Sequence, residues 1–485
     1  MVEAAPGFGK SLFALAQARL TNARTHYLVT TKSLQYQVRD EFDDVFSMVG
    51  RNMHNCVLPG FEEYTVDKAP CTADYDCPLK KLSCPYYLAK ANAETASTLV
   101  TNYQWYWYNG EHSYPKMQTP DLLICDEADS IESSIMSFGS LQITSIDCFE
   151  LGMSLPTANN IDEWSTSAKD KIDDKIRQLQ EDRKTFWGGV STVDNPASMA
   201  IAYEISKFQE LLGRILSIKN GWQLNRALYV VDSSPGLFQI RPIVATLDAE
   251  RLIHSRSPKK IFMSATLMGK EGFCKELAIP VDEAEYIEVD ASFPAENRAL
   301  ILHNRAQVNN KTIDILLPDI VRWLDDLIDA YMGKKGIVHT TNYKIQQYIL
   351  AHSAYKSDMI GHNRNNRQTA IKHFKHKKAM SIIVSPSLVR GEDFPGYHCE
   401  WQALIKAPYP NIADVQVKAR MAIDPGWVER VTLRNLIQAY GRGTRKETDV
   451  CDTHVYDSNV DTLLLRAQKI VPNYLWEAIS RKTKT

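Results

Sequence analysis

Along the chain, short apolar runs that end in polar or acidic residues alternate with longer stretches of helical periodicity. His26–Thr31 is one such run, and a helix over about 33–46 follows it. Thr98–Asn102, Asp121–Asp126, Lys259–Ser264, Gly336–Thr340 and Ser381–Ser385 repeat the form. Strand–helix alternation of this kind predicts an α/β fold built on parallel sheets. Two stretches break the rhythm. Cys56–Cys84 has little periodicity and carries Pro59, Gly60 and Pro70. From Ile131 to about Leu237 polar helical patterns dominate, as in Ser167–Arg183, with few strand signals. That predicts a helical insertion whose charges form a solvated face. Pro294–Arg298 marks a crossover to a second α/β unit.

Candidate chemistry sits where the runs end. Glu3-Ala-Ala-Pro-Gly-Phe-Gly-Lys-Ser11 reads as a P-loop, with Ala4 at the first glycine position. Gly7 and Gly9 let the backbone approach phosphates closely, and the helix expected from Leu12 onward aims its N-terminus at them. Lys10 would reach the β- and γ-phosphates, and Ser11 would ligate magnesium. The bland alternative is a Gly/Pro turn before an ordinary helix. The run at Asp121 ends in Asp126-Glu127-Ala-Asp129. Asp126 would hold magnesium and Glu127 would orient and deprotonate a water, although a helix cap can look the same. Ser264-Ala265-Thr266 ends another strand, Arg390-Gly391-Glu392-Asp393 follows a third, and Gln438-Ala-Tyr-Gly-Arg442-Gly-Thr-Arg445 comes last. Arg442 and Arg445, three apart, would share one helical face and point into one cleft.

Nine cysteines include four in the irregular stretch: Cys56, Cys71, Cys77 and Cys84. A loop with so little apolar content needs a staple. With no export signal ahead of the P-loop, a metal site is expected rather than disulfides. Four thiolates suit iron–sulfur or zinc, and the wide spacing departs from the close pairs of zinc ribbons. The alternative is four unconnected buried cysteines. Tyr86, Tyr87 and the run Trp105-Tyr106-Trp107-Tyr108 could stack bases or form interdomain core. At 485 residues two to four domains are expected. A net charge of −2 announces no global basic field, so a nucleic-acid path must be a local groove. The basic cluster His373–Lys378 reads as surface. No apolar run approaches the ~18 residues of a membrane span, and a cytoplasmic location is expected.

In this order, EAAPGFGKS, the threonine-rich strand end at Thr30-Thr31, four cysteines, CDEAD, SAT, RGED and QxxGRxxR resemble a superfamily 2 helicase. The cysteine insertion and the helical insertion before SAT narrow the resemblance to the XPD/DinG, iron–sulfur branch. It implies two RecA-like parallel-sheet domains with an iron–sulfur insertion and a helical Arch insertion in the first. The corresponding segments are 1–55, 96–130 and 238–280 for the first domain, 56–95 for the cysteine insertion, 131–237 for the Arch-like insertion and 281–485 for the second domain. By position, Lys10 and Ser11 bind phosphates and magnesium, and Asp126 and Glu127 form the hydrolytic pair. Ser264, Ala265 and Thr266 couple hydrolysis to domain movement, and Gly391 and Asp393 sense nucleotide and strand. Gln438, Arg442 and Arg445 complete the γ-phosphate site, while Cys56, Cys71, Cys77 and Cys84 ligate a 4Fe-4S cluster. The implied ligands are ATP, Mg2+ and the cluster, with zinc as its alternative. The implied partner is single-stranded DNA, or duplex with a fork or overhang, met by a monomer moving 5′→3′. Two other readings stand beside it: an ATP-driven remodeller or RNA helicase, and a non-catalytic nucleic-acid-binding module. Three positions depart from the branch. The chain starts at the P-loop without the upstream glutamine motif that reads adenine, so either the first strand is very short or upstream residues are missing. Arg390 stands where an acidic residue is usual, and Asp129 where histidine is usual.

Overall fold

The first part of the chain supplies ten strands: β1 Val2–Ala4, β2 Thr25–Val29, β3 Phe46–Ser47, β4 Thr98–Asn102, β5 Leu122–Asp126, β6 Leu141–Thr144, β7 Tyr229–Ser234, β8 Leu237–Pro242, β9 Lys259–Ser264 and β10 Ile287–Val289. Seven of them form one sheet in the order β10-β1-β9-β5-β2-β4-β3, and every pairing in it is parallel. The computed structural model describes the chain apart from residues 73–76, 113–117, 186–195, 292, 378–379, 389–393, 395, 445–446 and 482–485. Because the strands run the same way, their carboxyl ends share one edge, where open α/β sheets bind ligands. Strand order then decides which motifs meet. The neighbours β1, β9, β5 and β2 place the P-loop, Ser264, Asp126 and Thr30 side by side along that edge.

β1 spans three residues and is held from both sides: Val2 pairs with Met263 and with Ile287. Its partner β10 lies beyond residue 280, so the first sheet extends past the boundary expected there. The helices Lys10–Leu20 and Lys32–Glu41 follow β1 and β2. The second helix stops earlier than expected because Phe42 takes an extended backbone. Apolar clusters cover both faces of the sheet. One contains Val2, Leu15, Tyr27 and Ile124; the other contains Leu28, Tyr103, Trp107 and Leu123.

The remaining strands are β11 Leu300–Ala306, β12 Gly336–His339, β13 Met359–Ile360, β14 Ile382–Ser385, β15 Trp401–Leu404, β16 Asp452–Asp457 and β17 Ile479–Arg481. They form a second seven-stranded parallel sheet, ordered β13-β14-β12-β15-β16-β11-β17. Its core is continuous with the first domain, since Ala5 and Met268 pack into the cluster of Leu300, Leu404 and Leu436.

Between β5 and β9 the long helices Ile161–Thr185 and Pro196–Leu224 build the helical insertion. The insertion also holds an antiparallel sheet, β6-β8-β7, that the helical reading missed. Its signals are short. Leu141-Gln-Ile-Thr alternates buried and exposed positions, and Pro235-Gly236, with Gly236 at φ 82°, turns β7 into β8. Such a hairpin spans few residues beside two long helices, which dominate the pattern.

Candidate active site

A cavity of about 650 Å3 opens between the two sheets. From the first domain it is lined by Gly7, Gly9, Lys10, Ser11, Asp126, Glu127, Ser264 and Ala265; from the second by Gln438, Gly441 and Arg442. Gly9 caps the helix Lys10–Leu20 with φ 85°, a left-handed conformation that favours glycine. Open space surrounds the position of a Cβ there, so backbone conformation rather than crowding selects the residue. The first turn of that helix therefore points its N–H groups into the cavity, an arrangement suited to an anion. Lys10 Nζ donates to the carbonyls of Ala4 at 3.0 Å and Ala5 at 3.2 Å, closing the loop on itself.

The paired carboxylates differ in surroundings. Asp126 is buried at the end of β5 and accepts from the Tyr27 hydroxyl at 2.9 Å. That hydroxyl lies 3.0 Å from Ser11 Oγ, so Tyr27 ties the serine to the aspartate. Burial pushes the Asp126 carboxyl above the usual carboxylate range, while Lys10, Tyr27 and the Glu127 N–H oppose the rise. A buried carboxylate beside a lysine and a serine hydroxyl is a fitting seat for a divalent cation carried by phosphates. Glu127 is half-buried, takes φ 48°, and accepts from Thr30 Oγ1. The left-handed backbone turns its side chain away from the strand and toward the cavity wall.

The second domain reaches the first through the helix Trp427–Tyr440. Gln438 Nε2 donates to Thr266 Oγ1 at 3.2 Å, and Ser264 Oγ donates to Asp129 Oδ1 at 2.6 Å. Ser264, Thr266 and Asp129 are buried. Arg442 lies beyond the end of the helix, which Gly441 closes, so it does not sit on a helical face. Arg445, Gly391 and Asp393 lie outside the described residues, as does Arg390.

The helicase C-terminal domain family matches residues 327–477, and the DEAD_2 family matches residues 75–147. These two matches make the chain similar to XPD/DinG-like superfamily 2 helicases. A solved XPD helicase shares the fold with a TM-score of 0.64 at 15% identity, over 99% of this chain and 96% of that one. An apo XPD structure gives 0.60 at 14% identity over 99% and 96%. Xpd4 of S. tokodaii gives 0.61 at 12% identity over 99% and 95%. No curated protein matches the chain in sequence. The two helicase families make this an ATP-hydrolysing enzyme of the class that uses magnesium. Among the described residues no helix is long and apolar enough to cross a membrane.

Cys56, Cys71, Cys77 and Cys84 line one small cavity together with Tyr87 and Lys80. Burial pushes the Cys71 thiol up to about 11, with Arg51 opposing and the three other cysteines adding to the rise, and burial also raises Cys56. Four thiols around one space are a donor set that suits a four-thiolate group. Among the described residues, however, no group of three or more His, Cys, Asp or Glu is drawn close enough to hold a metal ion.

The proposed aromatic platforms divide. Tyr86, Trp105 and Tyr106 are 3%, 7% and 4% exposed, so none presents a face to a base; they are core. Trp105 and Tyr86 pack together with Cys84 and Leu99, beside the cysteine cavity, while Tyr106 and Trp107 pack behind the first sheet. Helical periodicity explains the split, since neighbours in the helix Tyr103–His112 point in different directions. Tyr87 is half-buried, with Arg51 5.9 Å and Lys80 4.7 Å from its ring centre. Tyr108, 53% exposed, is the solvent-facing member of the run.

Sequence reading missed Tyr27 and gave Thr30 no partner. Both contacts follow from β2 lying beside β5: the Tyr27 side chain reaches along the strands to Asp126, and Thr30, just past β2, meets Glu127. It also missed a buried charge network between the domains. Glu132 accepts from Arg420 and, at 2.8 Å, from Trp427 Nε1. Glu276 accepts from Arg430 at 2.9 Å and Arg434 at 2.6 Å, and Arg430 also reaches Asp424. These partners are up to 295 residues apart, which no local pattern reveals.

Proposed function

We propose that this helicase is an ATP-dependent translocase that moves 5′→3′ on single-stranded DNA and unwinds duplex ahead of it. The observation that carries the reading is the cavity between two parallel sheets, with a phosphate-type cradle on one wall and Gln438 and Arg442 on the other. Lys10 and the helix N-terminus at Gly9 bind the phosphates, with Gly7 allowing close approach. Ser11 and Asp126 hold magnesium, which when bound neutralises phosphate charge. Glu127 orients the attacking water and accepts its proton. Gln438 and Arg442, with Arg445, close over the γ-phosphate, and Gly391 and Asp393 report its presence to the second domain. Ser264, Ala265 and Thr266 pass domain closure between the two sheets.

Cys56, Cys71, Cys77 and Cys84 would hold a 4Fe-4S cluster as a structural staple. The segments 56–95 and 131–237, a cysteine insertion and an Arch-like insertion, would flank the DNA path of an intracellular, DNA-associated monomer. Tyr87 and Tyr108 are the aromatic residues of the two runs that remain able to meet a base.

Strand displacement on substrates with 5′ or 3′ overhangs, in DNA and in RNA, tests the reading. Unwinding of 5′-tailed DNA that is lost in Lys10→Ala is expected. Preference for 3′ tails overturns the polarity, and unwinding of RNA alone overturns the substrate.

A further inference from the structure

The five residues that follow Ser264 are held on every side. The carbonyls of Thr266 and Leu267 accept from a single side chain of the second domain, Arg434, through Nε at 3.1 Å and Nη2 at 3.0 Å. The carbonyl of Ala265 lies 3.4 Å from the Tyr474 hydroxyl, also of the second domain. The N–H groups of Met268 and Gly269 donate to the two carboxylate oxygens of Glu3, at 3.1 and 3.3 Å. Glu3 belongs to β1, immediately before the P-loop, and Tyr286 also donates to it. Met268 and Gly269 take φ 65° and 85°, so their N–H groups converge on one anion. Thus the second domain holds the carbonyl side of the Ala265–Gly269 segment, and the P-loop strand holds its N–H side.

We infer that Arg434 and Glu3 are positioning residues that turn movement of the second domain into movement of the nucleotide cradle. Arg434 is 2% exposed and has a rigid guanidinium fork, so rotation of the helix Trp427–Tyr440 must carry the segment with it. The segment cannot shift without pulling on Glu3, and β1 then transmits the shift to Gly7–Lys10. One turn further along the same helix, Gln438 grips Thr266 and lines the cavity, so the same rotation reaches the γ-phosphate side. The path is a continuous run of hydrogen bonds between two rigid elements, the physical requirement for coupling. It rests on the proposed role of Ser264–Thr266 and adds residues on either side of it.

The test compares turnover with and without single-stranded DNA in the full chain carrying Arg434→Met, Arg434→Lys and Glu276→Gln. Glu276 keeps Arg430 as a partner when Arg434 is replaced, so its charge stays compensated and the fold is expected to hold. In Arg434→Met the DNA stimulation should fall about tenfold, the scale of an ordinary coupling between sites, with the KM for ATP changed less than kcat. Arg434→Lys, which keeps charge but loses the fork, should not rescue it. Glu276→Gln, which leaves both carbonyl contacts in place, should lose less. Hydrogen exchange gives an activity-independent readout: Ala265–Gly269 should exchange faster in Arg434→Met while β2 and β5 stay protected. Parent-like stimulation and exchange in Arg434→Met overturn the inference. Full rescue by lysine, or an equal loss in Glu276→Gln, assigns Arg434 to charge balance and overturns it also. An unstimulated parent enzyme would instead sink the proposed function, and the inference with it.

Discussion

At the scale of single residues, the site separates binding from chemistry. In the proposed reaction Lys10 meets phosphate and Glu127 meets water, so their loss should differ in kind. Lys10→Ala is expected to lower both turnover and nucleotide affinity, whereas Glu127→Gln should lower turnover by orders of magnitude and retain nucleotide. Equilibrium binding of a fluorescent ATP analogue beside steady-state kinetics checks this. Tyr27 supplies a second residue-scale expectation. Burial raises the Asp126 proton affinity in the folded protein, so that group contributes most to stability below the ordinary carboxylate range and less as pH rises through its raised value. Magnesium needs the ionised form. The acid limb of kcat/KM should therefore lie above that of an ordinary aspartate, and Tyr27→Phe, which removes a donor to the carboxylate, should move it higher still. A loss of about tenfold in kcat/KM near the limb is the scale of a hydrogen bond to a charged group. An unmoved limb would remove Tyr27 from the site. The P-loop and the Asp126–Glu127 pair were legible in the sequence because each is contiguous, and its chemistry requires those residue types at that spacing. Tyr27 and Thr30 were not, because only the register between β2 and β5 makes them neighbours of the pair.

At the scale of elements, the sequence signals that were short or were overlaid by longer ones misled. The hairpin of β7 and β8 was hidden beside two long helices. The spacing of Arg442 and Arg445 suggested one helical face, yet the helix ends at Tyr440 because Gly441 closes it. The turn beyond that end is fixed by packing. A Cβ on Gly443 would overlap Cys451 Sγ, lying 2.6 Å from that cysteine's Cβ and 3.2 Å from the carbonyl of Cys399. Both cysteines are buried, with sulfurs 3.4 Å apart, so neither has room to yield. Gly443→Ala should cost about 1–3 kcal/mol by overpacking and displace Arg442, lowering turnover beyond what the stability loss alone explains. Denaturant unfolding and turnover measured well below the melting temperature separate the two effects. The aromatic run belongs to the same scale: four ring-bearing residues in one helix cannot all face solvent, and the sequence does not say which side the sheet will take.

For the whole molecule, the cysteine cavity and the cavity between the sheets are distinct, the first built on the irregular insertion and the second at the edge of the first sheet. Replacing one of Cys56, Cys71, Cys77 or Cys84 by serine should then reduce unwinding more than basal ATP hydrolysis. Protein purified without oxygen should be brown, absorbing broadly near roughly 400 nm, where a d10 zinc site has no band. Colourless protein with stoichiometric zinc would sink the iron assignment, and equal loss of both activities would reduce the metal to a general staple. The two-sheet plan was legible from the strand rhythm. The buried ion pairs that lock the sheets together were not, since Glu132 meets Arg420 and Trp427 only in the folded chain.

The short strand β1 has a consequence for synthesis. It carries the nucleotide cradle, yet its two neighbours in the sheet, β9 and β10, end at residues 264 and 289. At ordinary rates of translation those neighbours emerge about 15–60 s after the cradle does. Until then Val2, Ala4 and Ala5 have no ladder to join, and β2, β4 and β5 can pair without them. The proposed nucleotide cradle, which leaves the ribosome ahead of β9 and β10, is thus among the last parts of the first domain to be assembled. A nascent chain truncated before β9 should contain a partly formed sheet that does not yet hold ATP.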